Sequence, residues 1–267
     1  MDLGLEGATA VVTGGTKGMG RAIAERLAAE GADVAVLARG RAAIDDTVAA
    51  LVAAGSAGAF GLPVDVTDRS QVDVAFDEIA HRWDSLNVLV NTLGPGAGRF
   101  DQLDDGDWEA TFDIGVMAAV RCVRAGLPLL RRAAWARIVN VSAHSTQRQS
   151  PMLVAYTAAK SALTSVSKNL SKSLAPDGIL VNTVSPGSIV TASFSEGLRD
   201  AFAEEGLDAT DPYDVMTWID RHFHQPADLG RAGLPEEVAT LTAYLASQAN
   251  GYVTGADVNV DGGSDFV

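Results

Sequence analysis

The stretch Thr13-Gly14-Gly15-Thr16-Lys17-Gly18-Met19-Gly20 follows an apolar run and leads directly into a helical pattern. The run before it, 8–13, has strand length. The stretch after it, 18–30, places Ile23 and Leu27 on one helical face. Glycines at 14, 18 and 20 permit a tight turn, close approach of backbone to a bound anion, and close packing of helix on strand. Free N–H groups and the dipole at the helix start favour a pyrophosphate there. Strand, glycine turn and helix in this order read as the first βα unit of a nucleotide-binding sheet.

The same alternation continues outward to the end of the chain. Further strands are expected at 33–38, 59–64, 86–91, 136–142, 179–184 and 257–260. Helices are expected at 41–54, 69–83, 107–132, 155–175 and 235–247. Repeated βαβ units require a parallel sheet covered on both faces. The fold class is therefore α/β, a single-domain, doubly wound Rossmann-type parallel sheet of about seven strands, spanning 1–267. One region breaks the rhythm. Residues 191–230 carry two short helical patterns, 196–204 and 212–224, where a short connection is usual. An insertion after a strand's C-terminal end lies where open α/β sheets bind ligands, so it reads as a substrate lid. Phe194, Phe202, Met216, Trp218 and Phe223 give that lid an apolar character, with Trp218 a candidate substrate contact.

Of the 267 residues, 47% are hydrophobic and 20% charged, the balance of a globular protein with a sizeable core. A formal net charge of −14 argues against nucleic-acid or anionic-membrane partners, which call for basic patches. No apolar stretch is long enough to span a bilayer, and no room for a signal peptide precedes the first strand. The expected compartment is the cytoplasm. Cys122 is the sole cysteine and sits in an apolar region, as a buried structural thiol does. The histidines show no metal-ligand spacing, so no metal site is expected.

The second strand bears on the cofactor. An NAD site wants a carboxylate at that strand's end for the ribose 2′-hydroxyl. Here the strand ends Val36-Leu37-Ala38-Arg39, and Lys17 adds a second cation from the glycine turn. Two cations without an acid suit a 2′-phosphate, which arginine grips through charge-assisted bonds. The expected cofactor is NADP(H).

Tyr156 and Lys160 stand four apart in a helical run, stacked on one face. A fixed ammonium beside a phenol favours the phenolate, which suits an acid/base for carbonyl and alcohol chemistry. Together with the glycine turn, this pair resembles the short-chain dehydrogenase/reductase family, and the resemblance covers nearly the whole chain. Asp65-Val66 is similar to the family's adenine-contacting pair, and Asn91-Thr92-Leu93-Gly94 to its motif after the fourth strand. The run Ser185-Pro186-Gly187-Ser188-Ile189-Val190-Thr191 resembles the segment bordering the nicotinamide. Tyr252-Val253-Thr254-Gly255 and Val260-Asp261-Gly262-Gly263 resemble the closing motif. The resemblance implies that Tyr156 is the catalytic acid and that Lys160 lowers its pKa and holds the nicotinamide ribose. It also implies cofactor contacts from Gly14, Thr16, Lys17, Gly18, Met19, Gly20, Arg39, Asp65, Val66, Asn91, Pro186, Gly187, Ile189 and Thr191, and assembly as a homotetramer.

Two positions depart from that pattern. The family's substrate-binding serine, thirteen residues before the tyrosine, falls on Ala143. Ser142, Ser145 and His144 are the candidate replacements, in that order. Ser142 needs a bulge or a strand end to turn inward, because neighbouring strand side chains face opposite ways. The family's asparagine on the helix after the fourth strand, seven residues beyond a tryptophan, falls on Gly115 after Trp108. The expectation is an NADP(H)-dependent oxidoreductase interconverting a ketone, with a 3-oxoacyl thioester among the candidates, and a secondary alcohol. The alternative, favoured by Ala143 and Gly115, is a nucleotide-binding or sensing protein of the same fold.

Overall fold

The computed structural model describes residues 2–224 and 226–264. Its sheet holds seven parallel strands in the order β3-β2-β1-β4-β5-β6-β7. They are β1 (Thr9–Thr13), β2 (Asp33–Ala38), β3 (Phe60–Pro63), β4 (Val88–Asn91), β5 (Ala136–Val141), β6 (Ile179–Pro186) and β7 (Asp257–Val260). Chain order runs outward from β1 in one direction and from β4 in the other. Their junction is the switch point, beyond whose C-terminal ends a crevice opens.

Period-two alternation sends side chains to two separate cores. Val12, Val34, Val36, Val88 and Val90 pack on one face with α1 (Gly18–Ala29) and α9 (Pro235–Leu245). Val11, Ala35, Leu37, Leu89 and Ile138 face α3 (Arg69–Arg82) and α5 (Ala118–Leu130) on the other. Cys122 lies wholly buried in the second core, where burial pushes its thiol up to about 12 and leaves it unreactive. At the bottom of β5, buried Arg137 donates to the carbonyls of Ser247 and Asn250, tying the turn after α9 to the sheet. α2 (Arg41–Ala54) covers β2, with Ile44 and Leu51 buried.

The single helix expected at 107–132 is interrupted. α4 (Asp105–Phe112) starts on an Asp104 cap whose box partner is Asp107, so the acidic run around it serves as a helix start. A π-helical turn, Asp113–Met117, then separates α4 from α5. The widened turn brings Gly115 against α6 (Val154–Ser173): a Cβ at residue 115 would lie 3.0 Å from the Ala159 Cβ and 3.3 Å from Pro95. A side chain there would press on α6 and Pro95, a constraint of close approach and not of backbone angle.

The segment after β6 forms α7 (Ala192–Glu204) and α8 (Pro212–Phe223). Thr191 caps the first and Asp211 the second. Between them Phe202, Val215, Met216, Trp218 and Ile219 make a third apolar cluster, with Phe202 stacked on Trp218 at 4.9 Å. This corrects the reading of Trp218 as a substrate contact: it is buried among its own helices, and so are Phe202 and Met216.

Candidate active site

A cavity of about 850 Å³ opens over the C-terminal ends of β1, β2, β3 and β4, at the switch point. The glycine turn forms one wall. Gly14 and Gly18 have φ of +67° and +51°, where a side chain is strained, and a Cβ on Gly20 would sit 2.3 Å from the Gly14 carbonyl oxygen. Thr16, Lys17 and Met19 complete that wall. Opposite lie Arg39 at the end of β2, and Asp65 and Val66 after β3. Thr191 faces the turn, its Cγ2 3.5 Å from the point a Gly18 Cβ would occupy.

The residues present fit a 2′-phosphorylated dinucleotide. Arg39 and Lys17 both line the cavity, while the tip of β2 offers only Leu37, Ala38 and Gly40 beside them. Asp65 is the acid on that wall. Its carboxylate accepts from the Thr67 hydroxyl and amide, which with Arg39 nearby hold its pKa below the ordinary range. It therefore stays ionised and fixed to its own loop.

Several expected contacts lie elsewhere. Asn91 stands behind the wall, because the register Thr13↔Asn91↔Asn140 aligns three polar side chains inside the sheet. Its Nδ2 donates to Asn140 Oδ1 at 2.8 Å, and Asn140 passes the chain to Ser167 on α6. Asn91 thus supports the site and does not line it. Pro186, Gly187 and Ile189 also lie outside the cavity wall. Gly187 donates to the Val260 carbonyl and packs on Asp261, while Ile189 is buried against Gly233. Ala110, Ile114 and Ser193 line the cavity and escaped the sequence reading, having no motif to mark them. Thr92, Leu93 and Gly94 line it too, and their resemblance to the motif after the fourth strand was the available signal.

Tyr156 and Lys160 sit just behind the end of this wall. The Tyr156 ring lies 3.8 Å from the point a Gly94 Cβ would occupy, and Lys160 Nζ donates to the carbonyls of Leu93 (2.8 Å) and Val141 (2.7 Å). Lys160 Nζ is 5.9 Å from the centre of the Tyr156 ring. Burial dominates both groups, pushing the phenol up to about 12 and the ammonium down to about 7. The phenol is thus held as the neutral acid at neutral pH, contrary to the depressed value expected from the sequence.

At the end of β5, the assignment of Ser142 is corrected. Its Oγ donates to the Lys160 carbonyl at 3.2 Å and lies 2.9 Å from Thr164 Oγ1, so it is committed to the body of α6. Ala143 is buried, and the chain then winds into a 3₁₀ turn, His144–Thr146. His144 Nδ1 lies 3.1 Å from the Pro186 carbonyl, and Ser145 Oγ accepts from Thr157 Oγ1 at 3.1 Å. Beyond this turn Arg148 donates to the His224 carbonyl at the end of α8 and to the Ser264 carbonyl. Among the described residues no helix is long and apolar enough to cross a membrane.

The sequence pattern of the family described as enoyl-(acyl carrier protein) reductase matches residues 14–265. The 3-oxoacyl-(acyl-carrier-protein) reductase FabG of Aquifex aeolicus is 30% identical, covering 98% of this chain and 99% of that protein. Dehydrogenase/reductase SDR family member 4 of Caenorhabditis elegans is also 30% identical, over 97% of this chain and 95% of its own. The structure of L-sorbose reductase from Gluconobacter frateurii, complexed with NADPH and L-sorbose, superposes with a TM-score of 0.92 at 28% identity and covers both chains completely.

Proposed function

The chain belongs to the short-chain dehydrogenase/reductase family, and on that premise we propose that it reduces a ketone to a secondary alcohol, with Tyr156 as the acid. It is an NADP-dependent oxidoreductase. The observation that carries the finer reading is the seat of the pair. The Tyr156 ring backs Gly94 and Lys160 grips the Leu93 carbonyl, so both stand behind the wall that the glycine turn shares.

Gly14, Gly18 and Gly20 would admit the pyrophosphate, and Lys17 and Arg39 would take the 2′-phosphate. When bound, the cofactor supplies the hydride. Tyr156 Oη gives its proton to the substrate oxygen as charge develops there. A pKa of about 12 keeps that proton in place until it is needed. The Lys160 ammonium stabilises the phenolate left behind, and the two carbonyls that hold Nζ fix the distance between the charges. The segment 191–230 closes the substrate side as a lid. Cytoplasmic residence and a homotetramer complete the proposal, the latter checked by sedimentation.

NADPH consumption followed with a panel containing a ketohexose, a 3-oxoacyl thioester and a cyclic ketone tests the reading. Tyr156→Phe should abolish turnover and leave NADPH binding intact. Binding without turnover of any ketone would establish instead a nucleotide-sensing protein, the reading that Ala143 favours.

A further inference from the structure

We propose that Ser145 supplies the hydrogen bond to the substrate oxygen that the alanine at 143 cannot, and that Thr157 orients it. This rests on the carbonyl-reductase reading above. Three polar groups adjoin Ala143, and two are committed elsewhere. Ser142 is spent on α6, through the Lys160 carbonyl and Thr164. His144 Nδ1 faces a carbonyl oxygen, that of Pro186, and so must be the donor there, which pins the ring toward the end of β6.

Ser145 differs in where it stands and in what its hydroxyl is doing. The 3₁₀ turn begins on Ala143, whose carbonyl accepts from Thr146 Oγ1 at 3.0 Å, and this tight winding swings residue 145 back toward α6. There Ser145 is 2% exposed and its Oγ accepts a proton from Thr157, the residue after Tyr156 on the same helical turn. A hydroxyl carries one proton and two lone pairs. Since Thr157 occupies a lone pair, the Ser145 proton is left for another acceptor, and no other hydrogen-bond partner meets Ser145 Oγ among the described residues. A buried donor without an acceptor is costly. A carbonyl oxygen protonated by Tyr156 would satisfy it, more strongly as negative charge grows. Ser145 is thus the catalytic donor and Thr157 a positioning residue. The hydroxyl moves two places along the chain because the turn after β5 does the work that the strand end does elsewhere.

The experiment compares kcat, KM and NADPH affinity in single and double variants on a ketone that the unsubstituted protein reduces. Ser145→Ala and the near-isosteric Ser145→Cys should each lower kcat about 10²–10³-fold, with NADPH affinity unchanged. Ser145→Ala should also lower the melting temperature, because it strips the buried Thr157 hydroxyl of its acceptor. The Cys variant, which keeps the volume, separates that loss from the catalytic one. Introducing Ala143→Ser into the Ser145→Ala background should restore at least about tenfold of that loss, because it returns a hydroxyl to the strand end. Thr157→Val should lower kcat and leave KM alone, and Thr157→Ser should recover it, a pattern that lost packing would not give. If kcat of both Ser145 variants stays within about twofold of the parent while Tyr156→Phe is inactive, the assignment of Ser145 is wrong and the reductase reading stands. If the parent itself turns over no ketone, both are wrong.

Discussion

Lys160 is the residue on which burial and charge compete most directly. Its ammonium has a folded pKa of about 7 against an ordinary 10.5. Between those values the unfolded chain binds the proton and the folded chain does not, so stability rises with pH across that window and is flat below it. The melting temperature of the cofactor-free protein should therefore climb from pH 7 to pH 9, and Lys160→Met should remove the rise. Beyond pH 9 the buried Cys122 thiol, protonated only in the folded chain, offsets the gain. Activity should run the opposite way. As Lys160 loses its charge above pH 7, the phenolate loses its support, so the reductive kcat should fall on a limb that a pH–rate profile resolves. At this scale the sequence was legible where only one residue type works: Gly14, Gly18 and Gly20 are dictated by backbone angle and contact. It was misleading where two adjacent residues differ only in the face they present. Ser142 and Ala143 are neighbours in sequence, and only the strand's pleat and the packing of α6 reveal that the hydroxyl points away from the expected position.

Among the elements, the π turn between α4 and α5 has the clearest energetic signature. A Cβ on its Gly115 would lie 3.0 Å from the Cβ of Ala159, the residue before Lys160, so an added side chain pushes on the helix that carries the pair. Gly115→Asn, which restores the family's residue, should cost about 1–3 kcal/mol by overpacking and lower kcat as well. Adding Ala159→Gly should relieve much of the kcat loss, and thermal melts beside steady-state rates would read both effects. Element types were legible from periodicity, and most boundaries fell within two residues. The break at 113–117 was not, because a π turn leaves the apolar period nearly intact and a lone glycine does not announce it. Trp218 and Phe202 mislead for a different reason. Apolar side chains on two short helices can line a pocket or bury one another, and composition does not distinguish these. The helical spacing of Val215, Ile219 and Phe223 was the overlooked sign that α8 has an inner face of its own.

For the whole molecule, seven strands in one parallel order place every candidate group at a single edge of the sheet, and that architecture follows from the βα rhythm. The rhythm says nothing of how the parts beyond the sheet are joined. Arg148 makes that join, linking the turn after β5 to the end of α8 and to Ser264. Arg148→Ala should raise KM several-fold, increase cleavage by protease within 205–232 and leave NADPH affinity unchanged. Unaltered KM and proteolysis would show that the link carries no load. Both of its acceptors are main-chain carbonyls. The guanidinium therefore measures how much chain lies between the sheet and these two points, and is blind to which side chains occupy them. The side chains of His224 and Ser264 take no part in that contact. They answer to other constraints, a left-handed backbone at His224 and a buried hydroxyl on Ser264 that donates to the Asp261 carbonyl. Inserting or deleting one residue before either, by contrast, would carry the carbonyl out of reach. Arg148 is in this sense a ruler, one that fixes length along the chain and leaves the identity of the residues it reaches to other contacts.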